Sequence, residues 1–135
     1  MTNKELYLLA EGAREKSYSP YSNITVGAAL LTKSGKVYLG ANIENAAYSP
    51  TVCAERVALF SAIADGERDF SAIAVAGGKR DEPSRKCFSP CGVCRQVMAE
   101  FCAPDFKVIL GEALSLLFLR NNIVYSHFIF SPSKV

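Results

Sequence analysis

The sequence predicts an α/β domain: a mixed sheet of about five strands flanked by helices, in two or three layers. Three observations carry this expectation. Helical and strand-like periodicities alternate along the chain from residue 3 to residue 110. The 135 residues suit one compact domain, expected over 1–135. Half of them are hydrophobic and 21% are charged, the balance of a folded chain rather than a disordered one.

Residues 3–16 predict a first helix, because Leu6, Leu9, Ala10 and Ala13 recur at helical spacing. The loop 17–23, with Pro20, ends it. Residues 25–32 and 36–41 predict two strands, joined by a hairpin turn at Lys33-Ser34-Gly35, where glycine tolerates a positive φ. A polar loop, 42–51, precedes a helix over 53–64 that is rich in Ala and stops before Gly66. Residues 70–77 predict a third strand, and 78–89 a polar loop holding Pro83. Pro90 prepares the entry into a helix over 92–101. Residues 106–110 predict a fourth strand and 122–125 a fifth, with an irregular end over 126–135.

Charge and hydropathy narrow the function classes. The formal net charge is only +2, and Lys and Arg are scattered without a basic block. Long-range attraction to nucleic acid is therefore weak, and a polynucleotide substrate is disfavoured. Charges every few residues over 1–15 leave no room for a signal-peptide core. The most apolar stretch, 108–130, is interrupted by Glu112, Arg120, Asn121 and Asn122, which argues against a membrane span. A reducing cytoplasmic location is expected, where the five cysteines are metal ligands or spare thiols rather than a disulfide framework. A domain this small buries only about two thirds of its chain surface, so a ligand site would gain from closure by a second subunit.

Three cysteines stand apart: Cys53, and the C-x-x-C pair Cys91 and Cys94. A catalytic zinc takes three protein ligands and keeps one position for water. Cys53 opens one predicted helix, and Cys91 and Cys94 open another. Helix N-termini carry unpaired N–H groups and partial positive charge, which favour thiolates. Arg56, one turn on from Cys53, is placed to donate to a ligand sulfur and temper the charge of a three-thiolate site. Glu55, two residues after Cys53, is too close along the helix to ligate easily but can reach a water beside the metal. The alternatives are a redox C-x-x-C pair, or a structural four-cysteine site completed by Cys87 or Cys102. His127 is the only histidine and lies in the tail, where a surface or interface role is expected.

At Cys53-Ala54-Glu55-Arg56 and Pro90-Cys91-Gly92-Val93-Cys94-Arg95-Gln96 the sequence resembles the zinc-dependent nucleoside and nucleotide deaminases. Cysteine at position 53 points to the small cytidine deaminase branch. So do Tyr18-Ser19-Pro20-Tyr21-Ser22, Val26-Gly27-Ala28-Ala29-Leu30 and Asn42-Ile43-Glu44-Asn45-Ala46-Ala47-Tyr48. The resemblance runs from about residue 4 to 111, and the tail beyond is divergent.

It implies the three-layer cytidine deaminase-like fold, one Zn²⁺ per subunit, and a homotetramer with shared active sites. The reaction implied is hydrolytic deamination of cytidine and deoxycytidine in pyrimidine salvage. A zinc-activated water would attack C4, with Glu55 as proton shuttle. Asn42 and Glu44 would bind the ribose 3′-hydroxyl; extended backbone there puts both side chains on one side and Ile43 on the other. The Ala54 N–H would bind the pyrimidine carbonyl, and Tyr48 would reach a neighbouring subunit's site. Phe130 best fits the aromatic residue that covers the base from another subunit. Ile24 stands beside the base where the family often carries Phe, and His127 stands where proline is usual. A blasticidin-type deaminase on the same scaffold, or a non-enzymatic zinc module, are the competing functions.

Overall fold

The computed structural model describes residues 1–111 and 116–118. Its elements run α1 (Asn3–Ala13), β1 (Ile24–Thr32), β2 (Val37–Ala41), α2 (Ala54–Ala64), β3 (Phe70–Lys79), α3 (Gly92–Phe101), β4 (Lys107–Ile109) and β5 (Leu116–Phe118). The strands form one sheet in the order β2-β1-β3-β4-β5. Pairing is antiparallel except between β3 and β4, which are parallel and joined through α3. Parallel neighbours need such a crossover, and a hairpin cannot supply it.

Most expected elements recur with shifted ends. The first helix stops at Ala13 and tightens into a 3₁₀ turn over Arg14–Lys16. The third strand runs two residues past Gly77, to Lys79. The fourth shortens to three residues. The fifth described strand is Leu116–Phe118, an element not expected from the sequence. Residues 122–125, where a fifth strand was expected, lie outside the described residues, as do Phe130 and His127.

Strand alternation divides the core into two halves. Val26, Ala28 and Leu30 of β1, with Ile73 and Val75 of β3, meet Ala54, Ala58 and Leu59 of α2 and Cys94 and Met98 of α3. The intervening residues Ala29, Ala72, Ala74 and Ala76 meet Leu6, Tyr7 and Ala10 of α1. The result is three layers, with α1 on one face of the sheet and α2 and α3 on the other.

Two glycines fix how closely the helices approach. A Cβ on Gly27 would lie 2.0 Å from the Ala10 carbonyl oxygen of α1. A Cβ on Gly40 would lie 2.1 Å from the Ala54 carbonyl oxygen of α2. Both helices thus rest directly on the strand backbone, with no side chain between.

Capping separates α1 from the other two helices. In α1, Thr2 accepts from the Glu5 N–H while the Glu5 carboxylate accepts from the Thr2 N–H, the reciprocal arrangement that closes a helix start. In α2 and α3 the capping positions are held by Cys53 and Cys91, which make no side-chain cap hydrogen bond. Among the described residues, no helix is long and apolar enough to cross a membrane.

Gly40→Ala is expected to destabilise the protein by about 1–3 kcal/mol, because the helix must move off the strand. Gly12→Ala in α1, where a Cβ would meet nothing within 4 Å, is expected to stabilise it by about 0.5–1 kcal/mol. Urea unfolding of the two variants checks this; equal midpoints would contradict it.

Candidate metal centre and cleft

The Cys53, Cys91 and Cys94 sulfurs lie within 4.8 Å of one another, although Cys53 and Cys91 are 38 residues apart in the chain. The Cys53 and Cys91 sulfurs are 3.7 Å apart. A tetrahedral zinc with bonds of about 2.3 Å to sulfur separates its ligand atoms by about 3.8 Å, so the spacing fits. Three sulfurs this close could ionise together only with a cation between them, and soft sulfur donors select zinc over harder ions. Among the described residues, neither Cys87 nor Cys102 joins this group. Cys87 is exposed, and Cys102 is half-buried, its thiol pushed up to about 12 by burial.

The sulfurs are electrostatically unequal. A hydrogen bond from Cys94, followed by others from Arg56 and Cys91, holds the Cys53 thiol well below the usual range against its burial. The same hydrogen bond, with burial, pushes Cys94 up. Cys94 is 1% exposed, whereas Cys53 and Cys91 line an adjoining cleft. Arg56 donates from a terminal nitrogen to the Cys53 sulfur at 3.4 Å. Burial works against its charge, but its hydrogen bonds to Cys53 and Cys94 prevail and raise its pKa.

Glu55 sits in the first turn of α2, beside these sulfurs, and is 4% exposed. Burial pushes its carboxyl up to about 7, with a smaller contribution from the nearby Cys53 charge. A carboxyl poised there gains and loses a proton near neutrality, as a proton carrier must.

The cleft has a volume of about 340 Å³, the size of a small-molecule site. The geometry gathers most of the residues singled out from the sequence. Ile24, Asn42, Glu44, Ala54, Glu55, Cys53 and Cys91 all line the cleft. Ala54 is the first residue of α2, where backbone N–H groups have no partner within the helix.

Asn42 and Glu44 lie on the same side of an extended segment, and Ile43 between them is exposed. Each is held by backbone. The Asn42 Oδ1 accepts from the Val26 N–H at 2.8 Å, and its Nδ2 donates to the Ile24 carbonyl at 2.9 Å. Asn42 therefore also pins β1, leaving one N–H and one lone pair for a ligand. The Glu44 Oε1 accepts from the Tyr21 and Ser22 N–H groups at 3.1 Å each. Hydrogen bonding from Ser22 holds this carboxyl below its usual range.

Tyr48 is not among the cleft residues. It is 80% exposed, with φ of 59°, on an adjacent groove that it shares with Tyr21, Ser22 and Glu44. The sequence reading missed Phe88, Ser22, Val26 and Thr51, all of which line the cleft. For Phe88 a signal existed: it is the only aromatic residue in the polar loop 78–89, three positions before Cys91.

Three sulfurs at two helix starts, with a buried carboxylate beside them on an open cleft, define an α/β zinc metalloprotein. The comparisons narrow this further. A family model for the cytidine and deoxycytidylate deaminase zinc-binding region matches residues 1–110, and the chain belongs to that family. The cytidine deaminase of Halalkalibacterium halodurans is 60% identical over 101 residues, covering 74% of this chain and 72% of that protein. The blasticidin-S deaminase of Bacillus cereus is 39% identical over 129 residues, covering 84% and 91% respectively. The crystal structure of cytidine deaminase from Burkholderia pseudomallei superposes with a TM-score of 0.80 at 47% identity, covering 88% of this chain and 94% of that one.

Cys91→Ala is expected to lose stoichiometric zinc, measured by elemental analysis of the purified protein, and to lower the melting temperature. A variant that keeps one zinc per chain would remove Cys91 from the ligand set.

Proposed function

We propose that the protein is a zinc-dependent hydrolase that converts cytidine and deoxycytidine to uridine and deoxyuridine with release of ammonia. The observation that carries this reading is the buried Glu55 carboxyl beside the three sulfurs, lining a cleft of about 340 Å³. The chain's family membership and its 60% identity to a cytidine deaminase support the choice of substrate.

Cys53, Cys91 and Cys94 would hold the zinc, which when bound would supply Lewis acidity that lowers the pKa of a water toward neutrality, so that its deprotonated form could serve as the nucleophile. Glu55 takes the proton from that water and delivers it to ring N3. It then carries the second proton to the departing amine, so that water and the nucleoside become ammonia and the uracil nucleoside. The Ala54 N–H donates to the pyrimidine carbonyl. Glu44 accepts from the ribose 3′-hydroxyl through the carboxylate capacity its backbone donors leave open, and Asn42 offers its remaining N–H to the same hydroxyl. Arg56 tempers the charge of the three thiolates. Ile24 forms an apolar wall beside the base.

In this reading residues 1–135 are one domain acting in cytoplasmic pyrimidine salvage. Four copies assemble with shared sites, with the exposed Tyr48 and the tail residue Phe130 reaching neighbouring clefts. Free nucleosides are the substrates; the modest net charge of +2 disfavours nucleic acid. A blasticidin-S substrate has support from the relative with 39% identity, and the same assay tests it.

The purified protein, its mass in solution measured, is expected to deaminate cytidine, followed by ultraviolet absorbance, and to stop when a strong chelator removes its zinc. Activity on blasticidin S without activity on cytidine would move the assignment. Glu55→Gln is expected to keep zinc yet lose turnover by several orders of magnitude; near-normal turnover would refute its role.

A further inference from the structure

Phe88 is the only aromatic side chain among the described residues lining the cleft, and the chemistry above makes no use of it. We propose that Phe88 is a substrate-binding residue that selects a flat heteroaromatic base by direct ring contact. This inference rests on the deaminase reading.

A slot in the sheet holds the ring. Val26 and Gly77 are paired across β1 and β3, so both face the layer of α2 and α3. A Cβ on Gly77 would lie 2.7–2.8 Å from three atoms of the Phe88 ring. The missing side chain therefore makes the space that the ring occupies, next to Val26. Ile24 lies two residues before Val26 on the same face. Ile24, Val26 and Phe88 thus give apolar lining to the cleft that Cys53, Glu55 and Cys91 also line.

The backbone around Phe88 is tied down on both sides of that slot. Its N–H donates to the Leu110 carbonyl at 2.8 Å, and the Arg85 N–H donates to the Gly77 carbonyl at 2.8 Å. A Cβ on Gly111 would lie 1.8 Å from the Lys86 carbonyl oxygen, so the loop rests directly on the chain after β4. The Arg85 guanidinium stands 5.7 Å from the ring centroid, within cation–π range. Three residues on, Cys91 brings its sulfur to the same cleft. One short, anchored stretch thus carries both an aromatic wall and a metal ligand, which sets the distance between the base and the reacting centre. A side chain needed only to fill the core would be fully enclosed; Phe88 is half-buried and borders open space.

The test compares zinc-loaded wild type with Phe88→Leu, which keeps apolar volume without the ring, and Phe88→Tyr, which restores the ring. Phe88→Leu is expected to raise together the KM for cytidine and the inhibition constant of uridine, roughly two- to tenfold, the range of an aromatic pair. Turnover number, zinc content and melting temperature should change little, and Phe88→Tyr should recover most of the loss. Unchanged KM and uridine inhibition in Phe88→Leu would overturn the proposal. So would loss of zinc, or a fall in kcat alone, since either would assign Phe88 to holding Cys91. If Phe88→Leu folds poorly, Phe88→Met keeps a long apolar chain in the slot and carries the same comparison. Wild-type protein that holds zinc but leaves cytidine intact rejects the deaminase reading itself. Active wild type with an indifferent Phe88→Leu rejects only this inference.

Discussion

Three sulfur atoms within 4.8 Å of one another, delivered by the starts of two helices, set the tolerance to which the surrounding structure is built. Cys53 precedes α2 and Cys91 precedes α3, so the sulfurs meet only if the two helices begin close together on one face of the sheet. Gly40 lets α2 lie directly on β2, where even a methyl group would meet the Ala54 carbonyl. The parallel pairing of β3 with β4 requires a crossover, and α3 supplies it on the face that α2 also covers. A helix displaced by one methyl radius would spoil a metal geometry whose bond lengths tolerate only a few tenths of an ångström.

This arrangement has a local cost. Serine, threonine, asparagine or aspartate at a helix start contributes about 1 kcal/mol over a residue that cannot cap. The protein keeps that contribution in α1, through Thr2 and Glu5, and forgoes it in α2 and α3. What the uncapped ends offer instead is a set of N–H groups and a partial positive charge beside the thiolates. Glu55 makes a similar exchange. Burial works against its ionised form and raises its pKa toward 7, and that same burial suits it to accept and return a proton.

The polar residues of the cleft are held by backbone groups. Asn42 is bonded to both Val26 and Ile24, and Glu44 receives two N–H groups from the loop before β1. A side chain tied this way loses little further freedom when a ligand arrives, so more of its interaction energy appears as affinity. The same economy applies to Phe88, whose ring is seated by a missing side chain on β3 and a hydrogen-bonded backbone.

Local features were legible in the sequence because their causes are local. The position of α2 follows from an Ala-rich run that stops before Gly66, that of α3 from Pro90 at its entry, and the hairpin turn from Gly35, which adopts φ of 92°. The candidate metal ligands and Glu55 were legible because C-x-E and C-x-x-C place donors within one helical turn of each other. Only tertiary structure decided what lies between segments distant in the chain. The register of Val26 with Gly77 creates the Phe88 slot, and no periodicity in 78–89 announces it. The burial of the Asn42 amide against β1 depends on a backbone that passes beside it from another part of the chain. The strand Leu116–Phe118 is defined by its pairing with β4, since three residues are too few to carry a pattern. Composition and spacing can specify which atoms are chemically competent; the distances between them are set by how sheet and helices pack.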